Sequence, residues 1–309
     1  MKKTTIGGQA LIEGLLMIGP ENAAIAIRKP DGAIVVEKRP LPAKGRLSKI
    51  PLIRGVVNLF RQMVLGIKAL MYSAEFVEIE EEEQDKKSKF DVFLEKIFGE
   101  KMKDVLIYIT VIISLAFSVG LFILLPNLLA SLFKFSKDTT GGVVLYNLFE
   151  GIIRLLIFFG YIVLASMMKD IKRVWEYHGA EHKTIHCYEH EDELTVENVR
   201  KYSTKHPRCG TSFMFLVMII SILVFSFIGW HSIWINILAR ILLIPVVAGL
   251  SYELLKLAGR SNLKIFSIVN APGKLFQCFT TKEPDDSQIE VAIAAFNEVR
   301  VQDKDADRW

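Results

Sequence analysis

This chain contains few cysteines, and it lacks the sequence motifs that identify several large protein classes. Three cysteines occur among 309 residues, and no two of them form a CxxC pair. A disulfide framework of the secreted kind is therefore excluded. Neither GxxxxGK[ST] nor GxGxxG is present, so a phosphate-binding loop of these kinds is not expected. These absences favour a protein whose reduced thiols face the cytosol.

An excess of one charge is also missing. Lys and Arg number 38 against 34 Asp and Glu, a formal net charge of +4, so nucleic acid is not expected as a partner. The first residues carry Lys2 and Lys3, but no apolar run of signal-peptide length precedes Glu13, and no cleaved leader is expected. Hydrophobic residues, by contrast, make up 51% of the chain, which indicates a membrane protein.

Four apolar segments approach the roughly 20 residues that a helix needs to cross a bilayer. The sequence therefore predicts an α-helical membrane protein with four transmembrane helices. The predicted spans run from Val105 to about Phe133, from Val143 to Met168, from Ser212 to Trp230, and from Ile233 to about Leu255.

The distribution of Lys and Arg predicts the orientation of these spans, because cationic loops resist translocation. The link of residues 169–211 carries eight such residues. The link between the first two spans carries only Lys134 and Lys137, and His231-Ser232 carries none. We therefore expect a multi-pass protein of the bacterial plasma (inner) membrane, with the N-terminal region, the 169–211 link and the C-terminal tail in the cytoplasm.

Four regions follow from this topology: a cytosolic region 1–77, a charged linker 78–104, a membrane domain 105–255 with its His-rich helical link 169–211, and a helical tail 256–309. A small β-hairpin is predicted around the turn Lys29–Gly32. A helix from Pro51 to about Val77 is amphipathic and basic, so it could lie on an anionic membrane or pack on the hairpin. The capping-box spacing Ser287–Glu290 predicts the start of a scaffold helix.

The histidines carry the strongest chemical signal. His178, His182, His186 and His190 follow one another at intervals of four residues, which places the first three on one face of a helix. Residues 178–182 also match the H-x-x-E-H pattern, in which two histidines bind a metal and Glu181 activates a water. The predicted catalytic residue is therefore Glu181, although a solvated face rich in His and Glu is the simpler alternative.

The predicted topology places further candidate ligands at the cytosolic ends of the spans, near the histidine helix. His206 and Cys209 precede the third span, and Glu253 ends the fourth. We rank His178, His182 and Glu253 first as metal ligands, with His206 or Cys209 as substitutes, around a divalent metal such as zinc. The residues outside the histidine row each have a simpler explanation. Glu253 could form an ion pair with Lys256 or Arg260, Cys209 could occupy a buried apolar position, and His206 could stabilise the turn in which it lies.

Charged residues also occur inside two predicted spans. Glu150 and Arg154 lie one helical turn apart, and Arg240 lies in the fourth span at a similar depth. Because intramembrane charges usually pair with one another, a structural ion cluster is expected. A polar pathway for a proton or an ion is the alternative.

Four segments of the chain resemble the YqhQ-like family of bacterial membrane proteins. They are Ile6–Gly14, Tyr177–Lys183, His206–Ser212 and Glu283–Asp286. The family is catalogued as a predicted metal-dependent enzyme of unknown function, so the resemblance implies a membrane protein with a metal site and supplies no substrate. It also draws attention to Gln9 and Glu13, which lie in a glycine-rich stretch that could fold against the site as a lid, contribute a ligand, or simply turn the chain.

Two kinds of function fit these observations. The first is a cytosol-facing zinc hydrolase that acts on a membrane-associated protein or lipid, with Glu181 as the base. The second is a noncatalytic metal-binding scaffold, sensor or ion-transport module. Four protein ligands, with His206 and Cys209 among them, would leave no coordination position for a water to activate. The lipid bilayer is the expected partner, with another membrane protein or lipid as substrate, and a homo-oligomer is compatible with four spans.

Overall fold

The computed structural model describes residues 3–43, 45–76, 102–135, 139–227, 233–260, 264–301 and 307. The predicted linker, including the charged run 78–89, lies outside the described residues except at its last three positions. The chain divides into two compact units, one of residues 1–77, 161–225 and 238–309, the other of residues 78–160 and 226–237.

A four-stranded antiparallel sheet forms the N-terminal part of the first unit. Its strands are β1 (Gly7–Leu11), β2 (Gly14–Ile18), β3 (Asn22–Arg28) and β4 (Ile34–Pro40), in that spatial order. The predicted hairpin is confirmed as β3 and β4, with Arg28 opposite Ile34. Its turn needs glycine because Gly32 has φ +85, a conformation that other residues rarely adopt. The prediction of a hairpin alone was incomplete, because β1 and β2 extend the sheet.

Both faces of the sheet are covered within this unit. One face packs Leu15, Met17 and Ala24 with two helices, α5 (Lys169–Glu189) and α10 (Asp286–Val299). The opposite face packs Leu16 and Ile25 with Ala69 of α1 (Ile53–Ala74). The two central strands are therefore buried on both sides, which explains their continuous apolar sequences.

The remaining helices are mostly apolar. They are α2 (Met102–Val119), which continues through a π turn (Gly120–Leu124) into α3 (Leu125–Ser131), then α4 (Thr140–Ser166), the short α6 (Val196–Arg200), α7 (Gly210–Ser226), α8 (Ile233–Arg260) and α9 (Lys264–Thr280). A 3₁₀ turn, Arg46–Lys49, precedes α1.

Three helical segments of the described chain are long and apolar enough to cross a membrane: Ile109–Ser131, Thr140–Ser166 and Ile235–Ala258. They correspond to the first, second and fourth predicted spans. The third predicted span is the apolar helix α7, whose 17 described residues fall short of the roughly 20 that a crossing needs. Residues 228–232, which follow it, lie outside the described residues.

Of the expected ion cluster, Glu150 and Arg154 form an ion pair inside α4, with Arg154 Nη2 donating to Glu150 Oε1 at 2.7 Å. Asn127 donates to the other carboxylate oxygen at 3.1 Å, and Arg154 Nε donates to the Phe122 carbonyl at 3.0 Å. The guanidinium of Arg240, in the other unit, lies over the ring of Phe225 at 5.6 Å. The pair in α4 therefore carries the hydrogen bonds that buried charges require.

The N-cap of the C-terminal helix α10 lies two residues before the predicted cap, Ser287. Asp285 is the N-cap, its carboxylate accepts from the Gln288 amide, and Gln288 closes a capping box by reaching back to Asp285. The prediction of Ser287 as the cap was therefore wrong. Aspartate caps helices as well as serine does, and it comes first in the chain. Ile289, Ala292 and Phe296, which share one face of α10, are fully buried.

Candidate metal centre

Helix α5 carries the histidine row and holds it inside the first unit. From Tyr177 to Glu189, all of its side chains except His186 are buried. The close packing depends on Gly179, because a Cβ atom there would lie 2.0 Å from the Lys282 carbonyl oxygen. The rings of His178 and His182 lie one turn apart, with centroids separated by 4.4 Å, as the four-residue spacing predicts.

Cys209 completes a compact group with these two histidines. All three side chains are buried, and one ligand atom from each lies within 4.8 Å of the others. His178 Nε2 is 3.1 Å from Cys209 Sγ. Cys209 directly precedes helix α7, and its sulfur lies 3.4 Å from the Thr211 amide and 3.2 Å from the Thr211 hydroxyl. Two distant pieces of chain thus bring two imidazoles and a thiol together.

Backbone carbonyls orient both imidazoles. Nδ1 of His178 donates to the Thr280 carbonyl at 2.8 Å, and Nδ1 of His182 donates to the Thr204 carbonyl at 2.5 Å. Thr280 is the last residue of α9, so its carbonyl lacks an intrahelical donor and is free to accept. Each ring therefore leaves Nε2 as a lone-pair donor, the arrangement that metal-binding histidines typically show.

One of these lone pairs is buried without a partner. Nε2 of His182 is inaccessible to solvent and accepts no hydrogen bond from any residue that the structure describes. A buried nitrogen of this kind costs free energy unless a hydrogen bond or a metal satisfies it. The atom belongs to the same three-residue group as Cys209 and His178. The donor set therefore fits a metal ion.

The electrostatics of the group favour a thiolate. Burial alone would raise the pKa of the Cys209 thiol, but His178 and His182 beside it lower that pKa well below its usual range. Burial alone would likewise lower the pKa of His178, but Cys209 and Glu181 raise it to about 9. The two groups thus stabilise each other's charged forms, and a divalent cation bound to the sulfur and to His178 Nε2 would displace the proton that they share.

Glu181 lies between the two histidines in sequence, and its carboxyl group is close enough to respond to their charges and to that of Cys209. One oxygen, Oε1, accepts from the Gly8 amide at 2.8 Å. The other, Oε2, is buried and has no hydrogen-bond partner among the described residues. Burial raises the pKa of Glu181 despite the neighbouring histidines. A carboxylate with one fixed and one free oxygen is equipped to accept a proton.

The Gly8 contact places the glycine-rich N-terminal stretch against the site. Gly8 lies in β1, and a Cβ atom there would lie 2.6 Å from the Leu16 carbonyl oxygen and 3.1 Å from Glu181 Cδ. The side chain of Gln9 contacts Gly66 of α1. Glu13 pairs with Arg173 at the start of α5 and accepts from the Tyr177 hydroxyl. Glu13 thus holds α5, Gln9 packs against α1, and the glycine-rich stretch contributes the Gly8 amide to the site.

A second group gathers His186, Glu189 and His206, again within 4.8 Å. Glu189 is fully buried and pairs with Arg208, while its oxygens also meet the Thr4 amide at 2.8 Å and His206 Nε2 at 3.3 Å. Burial would raise the pKa of Glu189, but His206 and Arg208 lower it, and burial lowers the pKa of His206 to about 4. With a guanidinium already bound, this group is explained as a buried ion pair.

The remaining predicted residues lie elsewhere. Glu253 receives hydrogen bonds from Arg54 Nε at 2.7 Å and from the Leu52 amide at 3.2 Å, and it belongs to neither described group. His206 lies in the second group, its ring 5.6 Å from that of His182. His186 donates to the Lys205 carbonyl, and His190 to the His186 carbonyl. Of the five predicted ligands, the structure brings together three.

Sequence reasoning missed the groups that orient these ligands. The carbonyls of Thr204 and Thr280 and the amide of Gly8 leave no sequence signal, since every residue carries them. The buried Glu189–Arg208 pair is different, because Glu189 continues the helical row of His178 and His182 and Arg208 adjoins Cys209. A search for opposite charges beside the histidines would have found that pair.

Comparison with known proteins identifies a family whose function is unknown. Residues 50–302 match the model of a family described as "Protein of unknown function (DUF1385)". The chain is 36% identical over 307 residues to "Uncharacterized protein YqhQ" of Bacillus subtilis (strain 168), covering 95% of this chain and 91% of the relative. No solved structure matches significantly.

Proposed function

The chain belongs to the DUF1385 family of proteins of unknown function, and from the site itself we propose that it is a membrane-embedded, metal-dependent hydrolase whose centre faces the cytosol. The observation that supports the proposal most directly is a pair of buried atoms on helix α5 that have no hydrogen-bond partner among the described residues: Nε2 of His182 and Oε2 of Glu181. The first is suited to bind a metal, and the second to accept a proton.

His178, His182 and Cys209 would hold the ion through two Nε2 atoms and one Sγ atom. An imidazole and thiolate set favours zinc over the harder cations that prefer oxygen ligands. A catalytic zinc keeps three protein ligands and supplies Lewis-acid chemistry, lowering the pKa of a water near it. The chain's own contribution is the fixed tautomer of both histidines, through Thr280 and Thr204.

Glu181 would act as the general base. The Gly8 amide holds Oε1, so that Oε2 is left to take a proton from the attacking water and deliver it to the leaving group. Because burial raises the pKa of this carboxyl group, its proton affinity lies closer to what acid–base catalysis near neutral pH requires. The substrates that fit a protein of this kind are amides or esters of membrane-associated proteins or lipids.

The membrane placement is supported by the three long apolar helices and by the crowding of Lys and Arg in the 169–211 link. Cationic segments beside a span remain on the cytosolic side. The link contains α5 and Cys209, so the metal group would lie on that side. The plasma membrane, with both termini in the cytoplasm, is the location that this pattern supports.

Zinc content tests the proposal. The full chain purified in detergent should retain about one equivalent of zinc, and His182→Ala or Cys209→Ala should lose most of it. His190→Ala is the matched control, because it removes an exposed histidine just beyond the same helix. Equal zinc content in all of these variants would contradict the proposed site.

A noncatalytic metal site is the second candidate, and the burial of all three ligands favours it. His178, His182 and Cys209 are each less than a tenth exposed, and structural zinc sites are typically closed, with four protein ligands. An exchangeable coordination position separates the two candidates. Binding of a small inhibitor such as a hydroxamate to the metal would support the hydrolase, whereas its exclusion would support the closed site.

A further inference from the structure

Helix α1 presents two different surfaces. Its buried residues are small, namely Gly55, Gly66, Ala69 and Ser73, and they follow one another at intervals that keep them on one side of the helix. A Cβ atom at Gly66 would overlap the side-chain amide of Gln9 in β1. Small residues thus let the helix lie close to the rest of the first unit.

The other side of α1 carries large apolar residues that remain uncovered. Six of them lie within an arc of about 100° when each residue advances the helix by 100°: Ile53, Phe60, Met63, Ile67, Leu70 and Met71. Each is between 42% and 62% exposed. A continuous stripe of this kind is rare on the surface of a soluble protein and marks a site of interaction.

The first turns of α1 pack against a candidate membrane helix. Leu52, which precedes α1, packs against Gly249 of α8, and Gly55 packs against Tyr252. The Asn58 amide donates to the Tyr252 hydroxyl at 2.9 Å, and Arg54 pairs with Glu253. These contacts fall in the last part of the segment Ile235–Ala258. Helix α1 therefore starts beside a helix that is apolar enough to cross the bilayer.

The charge of the segment matches an anionic surface. From Arg46 to Ala74 the chain contains five cationic residues and no Asp or Glu. Lys68 is exposed and Arg61 is half-buried, and both lie about 100–130° from the centre of the apolar stripe, on one flank of the helix. A helix with an apolar stripe and a basic flank lies in the interface plane of a membrane that contains anionic lipids.

We propose that α1 is an in-plane interfacial helix, whose Ile53–Met71 stripe is embedded in the cytosolic leaflet with Arg61 and Lys68 at the level of the headgroups. The occupant of the stripe is therefore lipid, not a second copy of the chain. The proposal rests on the membrane insertion described under Proposed function, and it is independent of the metal chemistry.

Site-directed fluorescence on the full chain in nanodiscs tests this placement. In a Cys278→Ser background, whose other two cysteines are buried, a bimane label is attached at Phe60→Cys in the stripe, at Lys38→Cys on β4, or at Leu242→Cys on α8. The discs contain phosphatidylcholine and phosphatidylglycerol, with a nitroxide-bearing lipid as the membrane quencher and iodide as the aqueous one.

The label at Phe60 should be quenched several-fold more strongly by the lipid-borne nitroxide than the label at Lys38, with the opposite order for iodide. Leu242, 67% exposed on α8, serves as the membrane control. Quenching by lipid at Leu242 but not at Phe60 would overturn the interfacial helix alone. No lipid quenching at either position would overturn the membrane insertion on which the proposal rests.

Two further measurements guard against a variant that does not fold and test the role of the cationic residues. Met63→Cys repeats the measurement within the stripe in case Phe60→Cys does not fold. The double change Arg61→Gln and Lys68→Gln should weaken lipid quenching at position 60 and remove its dependence on phosphatidylglycerol. A label at Phe60 or Met63 that is protected from both quenchers is covered by protein, and that outcome rejects lipid as the occupant.

Discussion

Gly8 and Glu181 join the first strand of the sheet to the histidine helix, because the Gly8 amide donates to Glu181 Oε1 at 2.8 Å. The bond fixes one oxygen of the carboxylate and leaves the other, Oε2, without a partner among the described residues. Strand β1 thereby sets the orientation of the proposed base, although 173 residues separate the two positions.

Gly8→Ala tests this contact. A Cβ atom at position 8 would lie 2.6 Å from the Leu16 carbonyl and 3.1 Å from Glu181 Cδ, so the strand and the carboxylate must both shift. We expect a loss of about 1–3 kcal/mol in the free energy of unfolding. Gly7→Ala is the matched control, because among the described residues no heavy atom beyond its chain neighbours lies within 4 Å of a Cβ at position 7. Equal melting temperatures for the two variants would show that the close approach is absent.

Glu181→Gln tests the role of the base. The substitution keeps the shape and the Gly8 hydrogen bond but removes the proton acceptor, so zinc content should stay near the wild-type value. Turnover should fall by about 10²-fold or more, the typical contribution of general base catalysis. The assay follows fatty acid released from vesicles of defined glycerophospholipids. An activity that survives the change assigns the proton transfer to another residue.

Arg208→Met tests the buried ion pair beside Cys209. The Arg208 and Glu189 side chains are 7% and 0% exposed, so removal of the guanidinium leaves an uncompensated buried carboxylate. We expect a loss of about 3–5 kcal/mol in the free energy of unfolding. Arg200→Met breaks the Arg200–Asp286 pair, in which both side chains are 56% exposed, and should change little. Comparable losses in both variants would argue against the burial of Glu189.

Asp285→Ala tests the cap of α10 and its pH dependence. Burial would raise the pKa of Asp285, but hydrogen bonds from Ser287 and Gln288 and the charge of Arg173 lower it. A carboxyl group with a lowered pKa stabilises the fold above its unfolded pKa, about 3.9, and this contribution is lost as the pH falls through the folded value. We expect Asp285→Ala to cost about 1 kcal/mol near neutral pH.

The difference in melting temperature between the wild type and Asp285→Ala should shrink as the pH falls below about 4. Ser287→Ala is the comparison, because Ser287 only donates to the Asp285 carboxylate and should cost less. A larger loss for Ser287→Ala would restore Ser287 as the cap.

The residue types and spacing of the histidine helix predict part of the site. A repeat of four residues places His178 and His182 on one face whatever surrounds the helix, and their rings lie 4.4 Å apart in the structure. Cys209 was expected nearby because it precedes an apolar helix on the same side of the predicted topology. Periodicity therefore predicts the pair of histidines, whereas topology places Cys209 near them without ranking it above Glu253 or His206.

The partner of Glu253 could not be predicted in the same way. The predicted partners of Glu253 were Lys256, Arg260 or the histidines, because helix geometry or depth in the membrane places each of them near it. Its partner is Arg54, 199 residues away, and the pairing depends on how α1 packs against α8. The strands β1 and β2 were missed for a related reason, since their sequences GGQAL and GLLMI lack the alternation that identifies a half-buried strand.

Coordination spectroscopy at the zinc edge of the purified full chain tests the proposed metal centre. A zinc ion held by His178, His182 and Cys209 should show one sulfur ligand at about 2.3 Å, two imidazole nitrogens at about 2.0 Å, and a fourth light atom that exchanges with solvent. The sulfur shell should vanish in Cys209→Ala and persist in Glu253→Gln. A spectrum without sulfur, or one that changes with Glu253 and not with Cys209, would contradict the metal centre described above.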